Sequence, residues 1–152
     1  MESSQEDLVV EVRFKIEKGA EGHPRSRDAE ALLCKPLNQE CSMCLVKSIP
    51  FYLRNVAYGD TVSTEEDSFG RLQFKEVIER GGYSIYRVLL RDSTNEEEVV
   101  QKLLDFDVLV EHEWNLISIA VPPSVDAEAV VDYILEGKTK GYWGAQDGYI
   151  SN

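Results

Sequence analysis

The chain has 152 residues, 43% hydrophobic and 29% charged, which suits one soluble domain, or two small halves sharing a core, with no need of metal or disulfide staples. Its formal net charge of −12 excludes nucleic acid and anionic membrane surfaces as partners, because both are held through cationic side chains. No apolar run reaches the roughly 18 residues of a membrane span, the start MESSQEDLVVEV lacks an export signal, and an odd count of 3 cysteines speaks against a disulfide framework, so the expected location is the cytoplasm.

Residues 8–16 alternate, with Leu8, Val10, Val12, Phe14 and Ile16 on one side, as a half-buried strand does. The next stretch is looser, and a short helix is predicted over residues 28–34, stopped before Pro36 by the steric demand of proline on its predecessor. Short strands follow at about 41–47, 51–57, 60–64 and 71–79, punctuated by Pro50, Gly59, Gly70 and the Gly81-Gly82 pair. Five short strands joined by small turns predict a β-barrel-like half of the SH3 type over residues 1–82.

The rhythm then changes. YSIYRVLL at 83–90 is a strand, and Thr94 with Glu97 three places on forms a capping box that opens a helix. Strands at 108–113 and 116–121 follow in hairpin succession. Ser124 caps a second helix that Gly137 ends, and a last short strand lies near residues 148–151. The order β-α-β-β-α-β predicts a ferredoxin-like half over residues 83–152. The expected fold class is therefore α+β, two halves forming one compact unit.

No reactive centre emerges from this pattern. Cys41 and Cys44 form a single CxxC where a zinc site wants four ligands, and on a strand they point to opposite faces. Cys34, His23 and His112 are scattered, and His112 faces away from its neighbours Glu111 and Glu113. The carboxylate runs at 65–67 and 96–98 read as solvated, the latter as the acidic first turn of a helix. No phosphate-binding glycine loop exists. The expectation is a protein without metal, cofactor or catalytic residues.

What remains is surface. Residues 1–82 hold 15 acids against 11 bases and residues 83–152 hold 13 against 5, a net of −4 and then −8. The tail KGYWGAQDGYISN sets aromatics among glycines, and Trp and Tyr dominate binding energy at interfaces. The candidate partner contacts are Glu65, Glu66 and Asp67 at a hairpin tip, with Tyr142, Trp143, Asp147 and Tyr149 in the tail.

The run IPFYLRNVAYGDTVS…GRLQFKEVIERGGYSIYRV resembles the bacterial domain-of-unknown-function family 4265, through Ile49, Pro50, Phe51, Gly59, Asp60, Val62, Gly82 and Arg87. The likeness spans about residues 8–145, and the family often carries His where Tyr83 stands here. The resemblance brings no catalytic residue. It implies a small cytoplasmic bacterial protein, of a kind encoded beside toxins as immunity proteins. The expected function is thus non-enzymatic: an immunity protein that masks the active site of a basic toxin with an acidic surface, a contact found quickly through electrostatic steering. The alternative is a small-molecule sensor.

Overall fold

The computed structural model describes residues 8–16, 28–91 and 94–151, and His23 lies outside them. The first half is a closed five-stranded barrel of β1 (Val10–Lys15), β2 (Ala29–Pro36), β3 (Met43–Val46), β4 (Thr61–Glu66) and β5 (Leu72–Glu79). Neighbours pair antiparallel in chain order, and a parallel pairing of β1 with β5, Val12 opposite Leu72, closes the ring. Val12, Phe14, Leu32, Cys34, Cys44, Val46 and Val62 fill it.

Five strands were expected, and five form, but the set differs by one exchange. Residues 28–34 are the strand β2 and no helix. The Ala- and Leu-rich composition favours helix locally, yet Glu30, Leu32 and Cys34 alternate inward and the whole segment pairs residue for residue with β1, so tertiary pairing overrides propensity. Conversely, residues 51–57 form no strand. Their backbone groups are taken up by side chains from elsewhere, as described below.

The second half is a four-stranded antiparallel sheet in the order β7-β8-β6-β9, from β6 (Ser84–Leu90), β7 (Leu109–Glu113), β8 (Leu116–Val121) and β9 (Trp143–Asp147). Helices α1 (Glu96–Leu104) and α2 (Ala127–Thr139) connect β6 to β7 and β8 to β9. Val88, Leu90, Ile117, Ile119 and Val121 of the sheet join Val99 and Leu103 of α1 and Val130 and Ile134 of α2 in one apolar core. No helix among the described residues is long and apolar enough to cross a membrane.

Several boundaries move from their expected places. Asn95 rather than Thr94 caps α1, its side chain accepting from the Glu98 amide at 3.2 Å, and Asp126 rather than Ser124 caps α2. The Thr94 hydroxyl instead donates to the Tyr142 carbonyl at 2.7 Å. Gly137 does not end α2 but lies buried inside it. The stop is Gly141, at φ 81, with the Tyr142 amide donating to the Gly137 carbonyl and the Gly141 amide to that of Lys138, the Schellman arrangement that a left-handed glycine allows. The last strand lies at 143–147, and residues 148–151 only continue its contacts with β6, Gly148 donating to Ile85 and Ile85 to Tyr149, each at 2.7 Å.

Candidate functional site

The segment 47–60 lies between the barrel and the sheet. Ile49 and Ala57 pack against Ile85 and Ala120 of the sheet, while Leu53 and Val56 turn into the barrel core. A chain in this position cannot join a ladder, and its polar groups need partners. Charged side chains supply them. Glu30 accepts from the amides of Phe51 at 2.7 Å and Tyr52 at 3.0 Å. Asp60, fully buried, accepts from the amides of Ala57 at 3.0 Å and Gly81 at 2.9 Å and pairs with Arg80 at 2.8 Å. Arg87, 1% exposed on β6, donates Nε to the Pro50 carbonyl at 3.2 Å and a guanidinium nitrogen to the Leu53 carbonyl. Ser118 adds its hydroxyl to Pro50 at 2.7 Å.

Beside this seam, a crevice of about 380 Å³ is lined by Glu30, Glu111, Glu113, Phe51 and Tyr52 among others. Glu111 accepts from the Ile49 amide at 3.2 Å. Burial holds the Glu30 and Glu111 carboxyls above the usual carboxylate range, against the lowering pull of those amide bonds. Arg87 also draws Glu30 down, and Glu113 pushes it up. Burial lowers the Arg87 guanidinium to about 10, so it remains charged at neutral pH.

These directions fix a pH dependence. A carboxyl whose folded value is raised above its ordinary 4.5 binds more protons folded than unfolded in the window above that value. Folding stability attributable to it is therefore present below pH 4.5 and lost as pH rises through the folded value. Urea denaturation of Glu30→Gln from pH 4.5 upward is expected to give a shallower fall in stability than the unmutated chain. An unchanged slope would show that the Glu30 carboxyl ionises as freely folded as unfolded.

Among the described residues, the three cysteines and His112 lie in different settings. Cys34 and Cys44 both sit in the barrel core, and burial pushes their thiols up to about 12 and about 11, leaving them protonated and poorly nucleophilic. Cys41 precedes β3 in a left-handed turn at φ 61, partly exposed. His112 is exposed on β7 with Nδ1 2.7 Å from a Glu96 carboxylate oxygen on α1. Among the described residues no group of three His, Cys, Asp or Glu side chains is placed to hold a metal ion.

The predicted contact residues scatter. Glu65 and Glu66 are exposed at the end of β4. Asp67 is occupied in the turn that follows: it accepts from the amides of Phe69 and Arg71, from the Arg71 guanidinium at 2.9 Å and from Gln73 at 2.8 Å. These bonds hold its carboxyl well below the usual carboxylate range. Phe69, 80% exposed at the tip, is the apolar group this turn presents. In the tail, Tyr142 and Asp147 are exposed, and Tyr149 lies under the Arg80 guanidinium at 3.9 Å. Trp143 is a correction. At 3% exposed it belongs to the core, its Nε1 donating to the Ile134 carbonyl at 2.9 Å, and it offers nothing to a partner's surface.

Sequence patterning passed over Trp114. The two-residue turn Trp114-Asn115 joins β7 to β8, with Glu113 opposite Leu116. Trp114 is 87% exposed and its φ is 58. A bulky side chain in the left-handed region costs about 1–2 kcal/mol, and turns of this length ordinarily use Gly, Asn or Asp there. The signal was present as an aromatic at a turn position where it helps neither strand. Two residues before it, on β7, an edge strand of its sheet, His112 is flanked by Glu96, Glu97 and Glu98 of α1.

Residues 32–145 match the family described as Domain of unknown function (DUF4265). No curated protein matches the chain. A solved structure described as a novel crystal structure of a hypothetical protein from Neisseria gonorrhoeae is similar in fold, with a TM-score of 0.74 at 12% identity, covering 95% of this chain and 97% of that one. With three-quarters of its length matched, and with the buried Asp60 and Arg87 inside that match, the chain belongs to the DUF4265 family.

Proposed function

We propose that the chain is a non-enzymatic binding protein of the bacterial cytoplasm, an immunity protein that masks the active site of a basic toxin. In this proposal the first half is an SH3-type barrel and the second a ferredoxin-like unit, a description supported by the strand order β7-β8-β6-β9 with one helix after β6 and one after β8. The observation that carries the functional proposal is Trp114, a large aromatic side chain held almost fully in solvent at a backbone angle that disfavours it. Stability does not account for a residue there, and strain of this kind clusters where a protein binds or acts. Trp is also among the residues enriched in the hot spots of protein interfaces. Glu113 adjoins the anchor in sequence and Glu96 and Glu97 stand by His112 on the same edge strand, and the net −12 of the chain draws a basic surface toward it. Glu65, Glu66, Tyr142, Asp147 and Tyr149 are the further contacts.

The test is co-purification with the product of the neighbouring gene, together with a growth assay in which that product is expressed alone or with this chain. The expected result is a complex that relieves toxicity. Trp114→Gly is expected to weaken the complex at least about tenfold, or 1.4 kcal/mol, while stability holds or rises by up to about 1 kcal/mol as the turn relaxes. If the neighbouring product does not bind, and deletion of the gene sensitises cells to nothing, the proposal fails.

A further inference from the structure

A groove of about 540 Å³ runs between α1 and α2, within the size range of small-molecule sites. Beneath it lies the buried indole of Trp143, 3% exposed, which reaches α2 because Gly137 has no side chain in the way and which is fixed by its bond to Ile134, so that Tyr133 and Tyr142 supply the aromatic surface a ligand meets. The Tyr133 ring stands 5.4 Å and the Tyr142 ring 6.1 Å from that indole, both steeply inclined to it. The result is an aromatic trough open to solvent.

The rim carries both signs of charge, and the two helices treat them differently. On α2, Glu136 and Lys140 stand four residues apart and close into an ion pair at 3.0 Å. On α1, Glu98 and Lys102 have the same spacing, which ordinarily favours pairing, but form no ion pair. The Lys102 ammonium lies instead 5.5 Å from the centre of the Phe106 ring. Glu98 makes no ion pair through its side chain among the described residues, and its charge is felt by Tyr133 across the groove. The two positions are about 6 Å apart along the helix axis, so a carboxylate and an ammonium not paired with each other stand on the rim of the groove.

We propose that this groove binds a free α-amino acid with an aromatic or large aliphatic side chain. Its ammonium meets Glu98, its carboxylate meets Lys102, and its side chain lies over Trp143 between Tyr133 and Tyr142. The charge pattern selects against other classes. Phosphorylated ligands meet the acids at 96–98 in the first turn of α1. A simple cation meets the lysines. An uncharged apolar molecule leaves both charges unused. The site is separate from Trp114, shares only Tyr142 with the further contacts named above, and does not require that the chain neutralise a toxin.

The test is isothermal titration and thermal denaturation of the full chain with the common L-amino acids, and with phenethylamine and 3-phenylpropionate as probes lacking one charge each. Phenylalanine, tyrosine, tryptophan or leucine is expected to bind and raise the melting temperature, with each single-charge probe at least about tenfold weaker. Glu98→Gln and Lys102→Met, both at exposed positions, are expected to weaken binding by a similar factor without changing the melting temperature of the unliganded protein. Failure of every amino acid to bind at millimolar concentration overturns the proposal. So does binding that neither substitution alters, or a probe with one charge that binds as well as the amino acid. Trp114→Gly is expected to leave this affinity unchanged, which separates the groove from the docking surface.

Discussion

Replacing Arg87 with Met is expected to cost about 3–5 kcal/mol in urea denaturation. The reasons are cumulative. The Leu53 carbonyl loses its donor and the Pro50 carbonyl keeps only Ser118. Glu30, drawn down by Arg87 in a site that burial otherwise makes hostile to charge, loses that compensation. Met fills much of the vacated volume, so the loss reports mainly polar groups and not a cavity. Arg87→Lys is expected to recover little, since a single ammonium cannot serve two carbonyls in the fixed directions of a guanidinium fork. A loss below about 1 kcal/mol for Arg87→Met would mean that the segment 47–60 holds its shape through apolar packing alone.

Gly137→Ala is the second. In an exposed helix the change stabilises by about 1 kcal/mol. Here the added methyl would sit 2.0 Å from one ring carbon of Trp143 and 2.3 Å from another. The indole has to move and release its bond to Ile134. Overpacking and the lost bond together are expected to destabilise by about 2–4 kcal/mol. In a Trp114→Phe background, the fluorescence of Trp143 is expected to shift red as the ring gains water. A stabilised variant with unchanged emission would show that helix propensity wins at this position.

How far the fold was legible depended on where the pairing partner lay. β1, β6, β7, β8 and the two helices were read from periodicity, because alternation in β6 and the apolar stripes of the helices survive in one dimension, whereas the last strand was expected at 148–151 and lies at 143–147. β2 was hidden because its inward residues include Glu30, which breaks an apolar count, and because Ala and Leu suggest helix. Its partner is β1, and no local signal announces that. The segment 51–57 misled in the opposite direction: its aromatics suggest a strand, yet Glu30, Asp60 and Arg87 satisfy its backbone in place of a ladder. Arg87 itself was named only through the family pattern, since a buried guanidinium on a strand cannot be told from an exposed one by spacing. Gly137 read as a helix end because the indole that requires it lies beyond the helix, in β9. In the candidate contacts, exposure was legible for Glu65 and Glu66 and not for Trp143, whose setting depends on the same close approach.

The parallel closure of β1 on β5 has a consequence for how the molecule is made. Val12 cannot meet Leu72 until the chain through β5 is available, and the carbonyls of Pro50 and Leu53 wait longer still for Arg87. Contacts this distant in sequence slow folding, and they leave β1 and β2 a hairpin with bare edges during synthesis. Until β5 closes the ring, association of these edges with other chains competes with folding.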